Sequence, residues 1–247
     1  MPGLRLPGRG LARRAARGLR AALGLERPAH GCMAVRDRMA DIRDRVRTPH
    51  PLIIDGGAHR GAMTSAFRHL FPGSRVQAFE PNPLLAGELR RAFAAEPGVT
   101  VHELALGAEE GGIEFHILRN SLSSSVLAPS RHMAAFHGER AGVERTVTVR
   151  QARLDALFDE DIDILKLDLQ GYELQALKGC GRLLERTGLI LTEVEFMPLY
   201  DGQALFGDID VFLRGRGFEL LNLYDLFTHP DGRLTAGDAI YINANRR

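Results

Sequence analysis

The chain has 247 residues, of which 45% are hydrophobic and 26% are charged, and its formal net charge at pH 7 is +1. These values are typical of one soluble globular domain, and they exclude a disordered chain, a collagen-like fibre and a disulfide scaffold. The two cysteines, Cys32 and Cys180, form no CxxC pair. A cysteine-rich zinc site is therefore excluded, and a reducing, cytoplasmic location is expected.

The first 30 residues contain seven arginines and one acid, Glu26. Apolar residues at near-helical spacing between Leu11 and Leu23 leave two interpretations open, a basic amphipathic helix that binds a membrane surface or acts in targeting, and a frayed extension. We favour the extension and predict a single domain over residues 31–247. No apolar run reaches the roughly 18 residues that a membrane span needs, so no transmembrane segment is expected.

From residue 51 onward, short apolar runs alternate with stretches of helical periodicity, and we expect the packed domain to begin near Pro51. The predicted strands are 52–54, 75–79, 99–104, 162–167 and 189–194. The predicted helices are 62–70, 83–95 and 172–185. This alternation is typical of a parallel sheet with helices on both faces.

An insertion at about residues 112–150 interrupts the alternation. It contains two β-like runs, 113–118 and 146–149, and a serine-rich turn at 120–125. The tail predicts a helix over 209–214 and strands over 218–224 and 239–242, joined by a turn at 230–232. Two strands joined in this way are expected to be antiparallel, at one edge of the sheet.

The most informative segment is a buried strand that ends in Asp55, Gly56 and Gly57 and leads into a helix after Gly61. Glycines in such a turn let the backbone approach a ligand, and the helix N-terminus offers free N–H groups. The next strand ends in Glu80, where a carboxylate is placed to accept hydrogen bonds from both hydroxyls of a ribose. The pattern predicts a nucleoside cofactor site at the carboxyl ends of the strands.

Asp55 decides which nucleoside this turn favours. A carboxylate at the start of the turn repels a pyrophosphate, whereas it attracts the cationic sulfonium and amino groups of S-adenosylmethionine. We therefore expect S-adenosylmethionine rather than a dinucleotide.

Four ordered segments resemble the motifs of the FkbM family of S-adenosylmethionine-dependent methyltransferases. The resemblance covers about residues 50–243 and is carried by residues 54–61 (IDGGAHRG), 79–83 (FEPNP), 163–173 (DILKLDLQGYE) and 191–196 (LTEVEF). It implies an α/β, Rossmann-like class I methyltransferase fold with a seven-stranded, mostly parallel sheet whose last strand is antiparallel.

Two residues depart from the family pattern. His59 stands where an asparagine is usual, and Gln170 replaces a frequent glutamate, so acidic roles in that motif fall to Asp168 and Glu173. With these motifs in place, the residues expected to contact the cofactor are Asp55, Gly57, Ala58, Gly61, Glu80, Asn82, Ala105 and Asp168.

Asp168, Glu193 and Glu195 are expected at adjoining strand ends, where three interpretations stay open. They act in base chemistry or substrate binding, they pair with Lys166 and Arg182 or cap helices, or they hold a divalent cation. We favour the first, with Asp168 and Glu195 catalytic and Glu193 and Glu195 contacting substrate, and we expect no metal.

Three further residues, Ser123, Ser124 and His229, are candidates for substrate binding. The serines belong to the hydroxyl-rich turn, which resembles a stretch near the cofactor and acceptor in the family. A solvated loop is the alternative for the serines, and a surface or packing role is the alternative for the histidine.

The sequence thus predicts O-methylation of a hydroxyl on a sugar, a glycan or a secondary metabolite. The alternatives are N-methylation of a peptide or amine, a nicotinamide-dependent oxidoreductase, and a non-catalytic cofactor-binding partner protein. A small-molecule or glycan acceptor is expected, nucleic acid is not, and a homo-oligomer is left open.

Overall fold

The computed structural model describes residues 37–133, 138–229 and 231–246. The predicted N-terminal extension, residues 1–30, lies outside them. The strands are β1 (Leu52–Gly56), β2 (Arg75–Phe79), β3 (Val99–His102), β4 (Ala105–Leu106), β5 (Gly111–Leu118), β6 (Val143–Ala152), β7 (Ile162–Leu167), β8 (Thr187–Glu195), β9 (Phe218–Thr228) and β10 (Leu234–Asn243). The α-helices are α1 (Arg38–Arg45), α2 (Ala62–Leu70), α3 (Pro83–Ala92), α4 (Leu154–Leu157), α5 (Glu173–Lys178) and α6 (Phe206–Arg214).

Seven strands form the main sheet in the order β3-β2-β1-β7-β8-β10-β9. The pairs from β3 to β8 are parallel, and β10 is antiparallel to both β8 and β9. The predicted fold class is confirmed, including the antiparallel last strand and the edge position of the final hairpin. The order reverses at β1, next to β7, and open sheets of this kind bind ligands beyond the strand ends at such a point.

Alternate side chains of the strands enter two apolar clusters on opposite faces of the sheet. In β1, Leu52 and Ile54 pack in one cluster and Ile53 in the other. Because every residue of this strand is buried, both of its faces must be covered, as expected for a parallel sheet. The side chains of α5 and α6 cover one face, and those of α1 and α2 cover the other.

The predicted helix over 172–185 is wrong in its second half. Helix α5 ends at Lys178, and a 3₁₀ helix, Gly181–Arg186, follows it. Gly181 has a φ of +50°, which interrupts the α-helical path, and the carbonyl of Gly107 would lie 1.9 Å from a Cβ at Gly179. The close contact requires glycine at position 179, and the left-handed backbone at Gly181 ends the helical path earlier than the apolar periodicity indicates.

The insertion forms a separate sheet with the order β4-β6-β5. Strand β6 begins at Val143 and ends at Ala152, so it is longer than the predicted run 146–149. The serine turn folds back on β5 through an antiparallel bridge between His116 and Ser125. The Oγ of Ser125 donates to the carbonyl of Gln170, 2.8 Å away, which fastens the turn to the loop after β7.

Packing begins before Pro51, contrary to the expectation from the strand pattern. Helix α1 is capped by Asp37 and packs Ile42, which is 0% exposed, into the second apolar cluster. Asp41 is also buried and accepts a hydrogen bond of 2.7 Å from the hydroxyl of Tyr224 on β9. Among the described residues, no helix is long and apolar enough to cross a bilayer.

Replacing Ile42 by alanine tests the docking of α1. We expect Ile42→Ala to lower the free energy of unfolding by about 2–4 kcal/mol, because it removes a buried side chain and leaves a cavity. Arg43→Ala is the matched control, since Arg43 lies next to it on the same helix with a side chain that is 61% exposed. Urea unfolding of both variants measures the difference, and equal losses would contradict the packing of α1.

Candidate functional site

The glycine turn after β1 is held in a conformation that few residue types adopt. Gly57, His59 and Gly61 have φ values of +72°, +49° and +82°. A Cβ on Gly57 would lie 1.9 Å from the carbonyl oxygen of Asp168, so glycine is required there both for its backbone angle and for close contact with the end of β7.

The amides of this turn are largely engaged within the protein. The N–H groups of Gly57 and Ala58 both donate to the carbonyl of Phe79, at 3.0 and 2.9 Å. The N–H of His59 donates to Glu80 Oε2 at 2.9 Å, and that of Gly61 donates to the carbonyl of Ala58. These four amides belong to the turn and are engaged within the protein, whereas the N–H groups expected to be free are those of the first turn of α2, which Gly61 leaves without a side-chain cap.

Asp55 is fully buried, and it does not face the ligand space. Its Oδ1 lies 3.0 Å from Lys166 Nζ, and its Oδ2 accepts a hydrogen bond of 2.6 Å from the hydroxyl of Thr64 on α2. The prediction that this carboxylate attracts a cationic cofactor is therefore wrong, because Lys166 already balances the charge of Asp55.

Lys166 fixes the turn as well as the carboxylate. Its ammonium donates hydrogen bonds to the carbonyls of Gly56 and Gly57, at 3.0 and 2.9 Å. The third N–H of the ammonium is left for the ion pair with Asp55. Burial by itself lowers the pKa of Lys166, but the carboxylates of Asp55 and Asp168 outweigh it and hold that pKa above its usual value. The lysine is therefore a charged structural clamp beneath the turn.

Glu80 follows β2 and is 5% exposed. Its two oxygens accept hydrogen bonds from the N–H groups of Asn82, at 2.8 Å, and His59, at 2.9 Å. Burial raises the pKa of Glu80 to about 7, although both hydrogen bonds oppose the rise. Each carboxylate oxygen keeps acceptor capacity for one further donor.

Glu80 opens onto a cleft at the carboxyl ends of β1, β2 and β7. The serine turn of the insertion forms the opposite wall. The cleft is lined by Gly57, His59, Glu80, Pro81, Ala105, Leu106, Phe115, Ser121, Leu122, Ser124, Val126, Asp168, Leu169, Gln170 and Tyr172. A cleft with apolar walls and a few convergent polar groups is the usual form of a small-molecule site.

The structure brings only part of the predicted set to this cleft. The predicted residues that line it are Gly57, Glu80, Ala105, Ser124 and Asp168. The predicted residues that do not line it are Asp55, Ala58, Gly61, Asn82, Ser123, Glu193, Glu195 and His229.

Each residue outside the cleft has contacts that hold it elsewhere. Ala58 packs against Leu89 of α3, and Gly61 is the N-cap residue of α2. Asn82 caps α3, because its side-chain oxygen accepts a hydrogen bond from the N–H of Leu84. The Oγ of Ser123 accepts from the side-chain amide of Asn120.

Glu195 on β8 and His229 at the edge hairpin were also predicted to contact substrate, and neither lines the cleft. Glu195 is buried and only 2% exposed. His229 lies in the hairpin between β9 and β10, where its Nδ1 is 2.9 Å from Asp231. Neither position supports the direct substrate contact that was predicted.

Asp168 is the carboxylate that reaches the cleft from the end of β7, with 43% of its side chain exposed. Leu167 pairs with Thr192 in the sheet, so Asp168 and Glu193 follow on neighbouring strands. The side-chain amide of Gln170 joins them, donating to Asp168 Oδ1 at 2.9 Å and to Glu193 Oε2 at 2.6 Å.

Gln170 is held in place by residues that the sequence pattern did not reveal. It has a φ of +55°, and its Oε1 accepts a hydrogen bond of 2.8 Å from the hydroxyl of Tyr200, which is 1% exposed. Burial raises the pKa of Tyr200, so the phenol remains a donor. One signal in the sequence pointed to Gln170, because a glutamine stands there in place of the family's frequent glutamate. No signal pointed to Tyr200, which belongs to no motif.

Two more carboxylates lie behind Asp168. Glu173, at the start of α5, is fully buried, and its Oε1 accepts from the N–H groups of Leu169 and Gly171. Burial raises the pKa of Glu173 to about 7, and burial together with the neighbouring acids raises the pKa values of Glu193 and Glu195 as well.

His59 faces Ser121 across the cleft, with its Nε2 3.0 Å from the serine Oγ. Burial, reinforced by Arg60, lowers the pKa of His59, so the imidazole is neutral at pH 7. The histidine therefore links the glycine turn to the serine wall of the insertion.

Comparison with known proteins agrees with this geometry. A family model described as the methyltransferase FkbM domain matches residues 55–220, a range that includes the turn, Glu80, Asp168 and the end of β8. A curated relative from Sinorhizobium fredii, named 2-O-methyltransferase NoeI, is 29% identical over 166 residues, which cover 63% of this chain and 68% of the relative.

Two further matches extend the comparison. Methyltransferase sdnD from Sordaria araneosa is 26% identical over 197 residues, covering 69% of this chain and 74% of that protein. The crystal structure of Methyltransferase FkbM from Methylobacillus flagellatus superposes with a TM-score of 0.51 at 16% identity and covers 78% of this chain. The match spans 44% of that longer chain, and it shows a shared fold.

The buried pair of Lys166 and Asp55 is open to a direct test. We expect Lys166→Met to lower the free energy of unfolding by about 3–5 kcal/mol, because it leaves Asp55 charged, buried and without its counter-ion. Adding Asp55→Asn removes that charge and restores part of the loss. Lys178→Met, at the other lysine of the chain, is exposed and serves as the control. Urea unfolding measures all three, and a double variant that is no more stable than Lys166→Met would contradict the pairing.

Proposed function

The chain belongs to the FkbM methyltransferase family, and from this membership and the geometry of its cleft we propose that it transfers a methyl group from S-adenosylmethionine to a hydroxyl group of a sugar, a glycan or a secondary metabolite. The observation that carries the proposal is the position of Asp168. Its carboxylate ends the central strand β7 and is exposed in the same cleft that Glu80 lines.

The residues around Glu80 fit the nucleoside part of S-adenosylmethionine. Glu80 is buried, lines the cleft and has one spare acceptor site on each oxygen, which suits the two hydroxyls of a ribose. Membership of a methyltransferase family, rather than the charge of Asp55, favours S-adenosylmethionine over a nicotinamide dinucleotide.

Bound S-adenosylmethionine supplies an electrophilic methyl carbon on a sulfonium. The acceptor oxygen attacks that carbon as the carbon–sulfur bond breaks, and the bond electrons remain on sulfur. Asp168 orients the acceptor hydroxyl and takes its proton, so that the products are a methyl ether and S-adenosylhomocysteine. Alignment of the oxygen with the breaking bond supplies much of the acceleration of such a displacement, and a positioned base contributes about 10²–10⁴.

Hydrogen bonds keep Asp168 available for this role. Gln170 donates to Oδ1, and Lys166 lies 4.0 Å from Oδ2. Both contacts hold the carboxylate in position at the cleft. A hydroxyl acceptor needs such a base because a neutral alcohol is a weak nucleophile, whereas an amine acceptor needs less help.

The wall opposite the cofactor residues supports a hydroxylated acceptor. Ser121 and Ser124 place hydroxyls at the cleft, and Leu122 beside them is 62% exposed. Such a surface offers hydrogen bonds together with one apolar contact, a combination that suits a sugar ring or a small polyol-bearing metabolite. The name of the Sinorhizobium relative records O-methylation in that protein, and this agrees with the proposal.

Glu80 makes cofactor affinity depend on pH. Its pKa of about 7 in the folded protein means that the carboxylate becomes the stronger acceptor as pH rises through 7. We expect S-adenosylhomocysteine to bind up to about tenfold more tightly at pH 8 than at pH 6, and calorimetry measures this difference. In Glu80→Gln the affinity falls and this dependence disappears, whereas Glu114→Gln, at an exposed residue of β5, retains it.

The same group affects stability with a defined sign. Its folded pKa of about 7 lies above the ordinary value of 4.5, so the folded chain binds more protons than the unfolded chain between those values. The contribution of Glu80 to stability therefore falls as pH rises from 4.5 to 7. For the binding experiment, two results would contradict the assignment of Glu80 to the ribose of S-adenosylmethionine. They are a wild-type affinity for S-adenosylhomocysteine that does not change with pH, and measurable binding of NAD.

Asp168→Asn tests the chemical step. We expect turnover to fall about a hundredfold or more, because the amide retains the shape but cannot accept the proton. Affinity for S-adenosylhomocysteine and the melting temperature should remain close to wild type, since the side chain is partly exposed and Glu80 is untouched. Transfer of labelled methyl groups to a panel of sugars and hydroxylated metabolites measures the rate.

Asp44→Asn provides the matched control, since Asp44 is an exposed residue of α1. It should leave turnover unchanged. An Asp168→Asn variant that is folded, binds S-adenosylhomocysteine and turns over at the wild-type rate would rule out the role of Asp168.

A further inference from the structure

Three glutamates converge behind the cleft, where α5 begins and β8 ends. They are Glu173, Glu193 and Glu195, and one carboxylate oxygen of each lies within 4.8 Å of those of the other two. Glu193 and Glu195 are two residues apart on β8, so they point to the same face of the sheet. Glu173 approaches them as the first residue of α5.

Two oxygens in this cluster have no hydrogen-bond partner among the residues that the structure describes. Glu173 is 0% exposed and Glu195 is 2% exposed, and the Oε2 atom of each is buried without a hydrogen bond. The other oxygen of Glu173 is used by the N–H groups of Leu169 and Gly171. A buried carboxylate oxygen without a donor is costly, and two such atoms in one cluster indicate that a ligand is missing.

The cation that these carboxylates require does not come from a neighbouring side chain. Within the described ranges, no lysine or arginine lies within 4.0 Å of the three carboxylates. Lys166 is buried beneath the same strand ends, but its N–H groups are directed to Asp55 and to the carbonyls of Gly56 and Gly57. Gln170 donates to Glu193 only, and as an amide it carries no charge.

We propose that Glu173, Glu193 and Glu195 bind one divalent cation of the oxygen-preferring class, which includes Mg²⁺, Mn²⁺ and Ca²⁺. Carboxylate oxygens are the preferred ligands of these ions, and opposite ligands around them are about 4–5 Å apart, which agrees with the spacing of the cluster. The absence of cysteine and histidine from the three residues disfavours zinc and copper. This proposal departs from the expectation of no metal and does not rest on the proposed methyl transfer.

The cation has a structural consequence for the cleft. It joins the start of α5 to the end of β8, and Glu193 is linked through Gln170 to Asp168. A fixed Glu193 holds the amide of Gln170, and that amide holds the carboxylate of Asp168 at the cleft. The proposed ion is therefore a positioning element behind Asp168.

Binding of Mn²⁺ to the full chain tests the proposal without any measurement of activity. The protein is stripped with a chelator and dialysed, and Mn²⁺ is then titrated while electron paramagnetic resonance follows the free ion. Thermal unfolding is recorded in parallel with and without Mn²⁺. We expect one Mn²⁺ to bind per chain, a rise in melting temperature with Mn²⁺, and displacement of Mn²⁺ by Mg²⁺ or Ca²⁺.

Glu195→Gln and Glu193→Gln each remove one ligand charge and keep the side-chain shape. We expect each to weaken Mn²⁺ binding about tenfold or more, since even changes next to a ligand cost that much. Glu193 is partly exposed, so its variant serves if Glu195→Gln fails to fold. Glu114→Gln, at an exposed position on β5, should bind Mn²⁺ like the wild type.

Two results would overturn the proposal. The first is a stripped wild-type protein that binds no Mn²⁺ at about 1 mM, which is the weak end of the affinities of protein cation sites. The second is Mn²⁺ binding that is equal in the wild type, Glu193→Gln and Glu195→Gln, because the ion would then lie elsewhere. In either case the carboxylates balance their charge with protons.

Discussion

The ion pair between Lys166 and Asp55 underlies the arrangement of the site. Lys166 extends from the middle strand β7 and binds the carboxylate at the end of β1 together with the two carbonyls that follow it. Three acceptors around one buried ammonium balance its charge and fill its hydrogen-bonding capacity. The turn after β1 is therefore fixed by the interior of the protein before any ligand binds.

The fixed turn after β1 also positions Asp168 at the end of β7. Gly57 lies against the carbonyl of Asp168 so closely that no side chain fits between them. The N–H of Asp168 also donates to the carbonyl of Gly56. The Asp168 side chain lies at the cleft, which Glu80 lines from the end of β2 on the other side of β1.

Charge is distributed unevenly around this edge of the sheet. The charge of Lys166 is balanced by Asp55, whereas Glu80, Asp168, Glu173, Glu193 and Glu195 lie at the same strand ends. Burial raises the pKa values of the four glutamates. An acidic edge suits a cationic methyl donor in the cleft and a metal ion behind it, and the two proposals use different carboxylates. Gln170 separates the two groups, because its neutral amide donates to an acid on each side. A glutamate at that position would have no N–H to donate and would add another negative charge.

The sequence by itself determined the fold class, the strand that carries each motif and the family, since these depend on local periodicity, turn chemistry and residue spacing. Strands β2 and β7 and helix α2 were predicted with the bounds that the structure has. Glycine or proline bounds β2 and α2, and aspartates bound the apolar run of β7. The positions of Glu80 and Asp168 at the cleft also follow from the sequence, since the carboxyl ends of parallel strands meet at one edge.

Only the tertiary structure decided what each of these side chains faces. The pairing of Asp55 with Lys166 joins residues 111 positions apart, and the approach of Tyr200 to Gln170 depends on packing of the loop after β8 against the insertion. Burial of Glu173 and Glu195 and the lack of partners for their Oε2 atoms depend on how α5 meets β8. Spacing along a strand establishes which face a residue occupies, but its solvent exposure and its charge partner depend on segments distant in the chain, and these determine whether a carboxylate is a clamp, a base or a ligand.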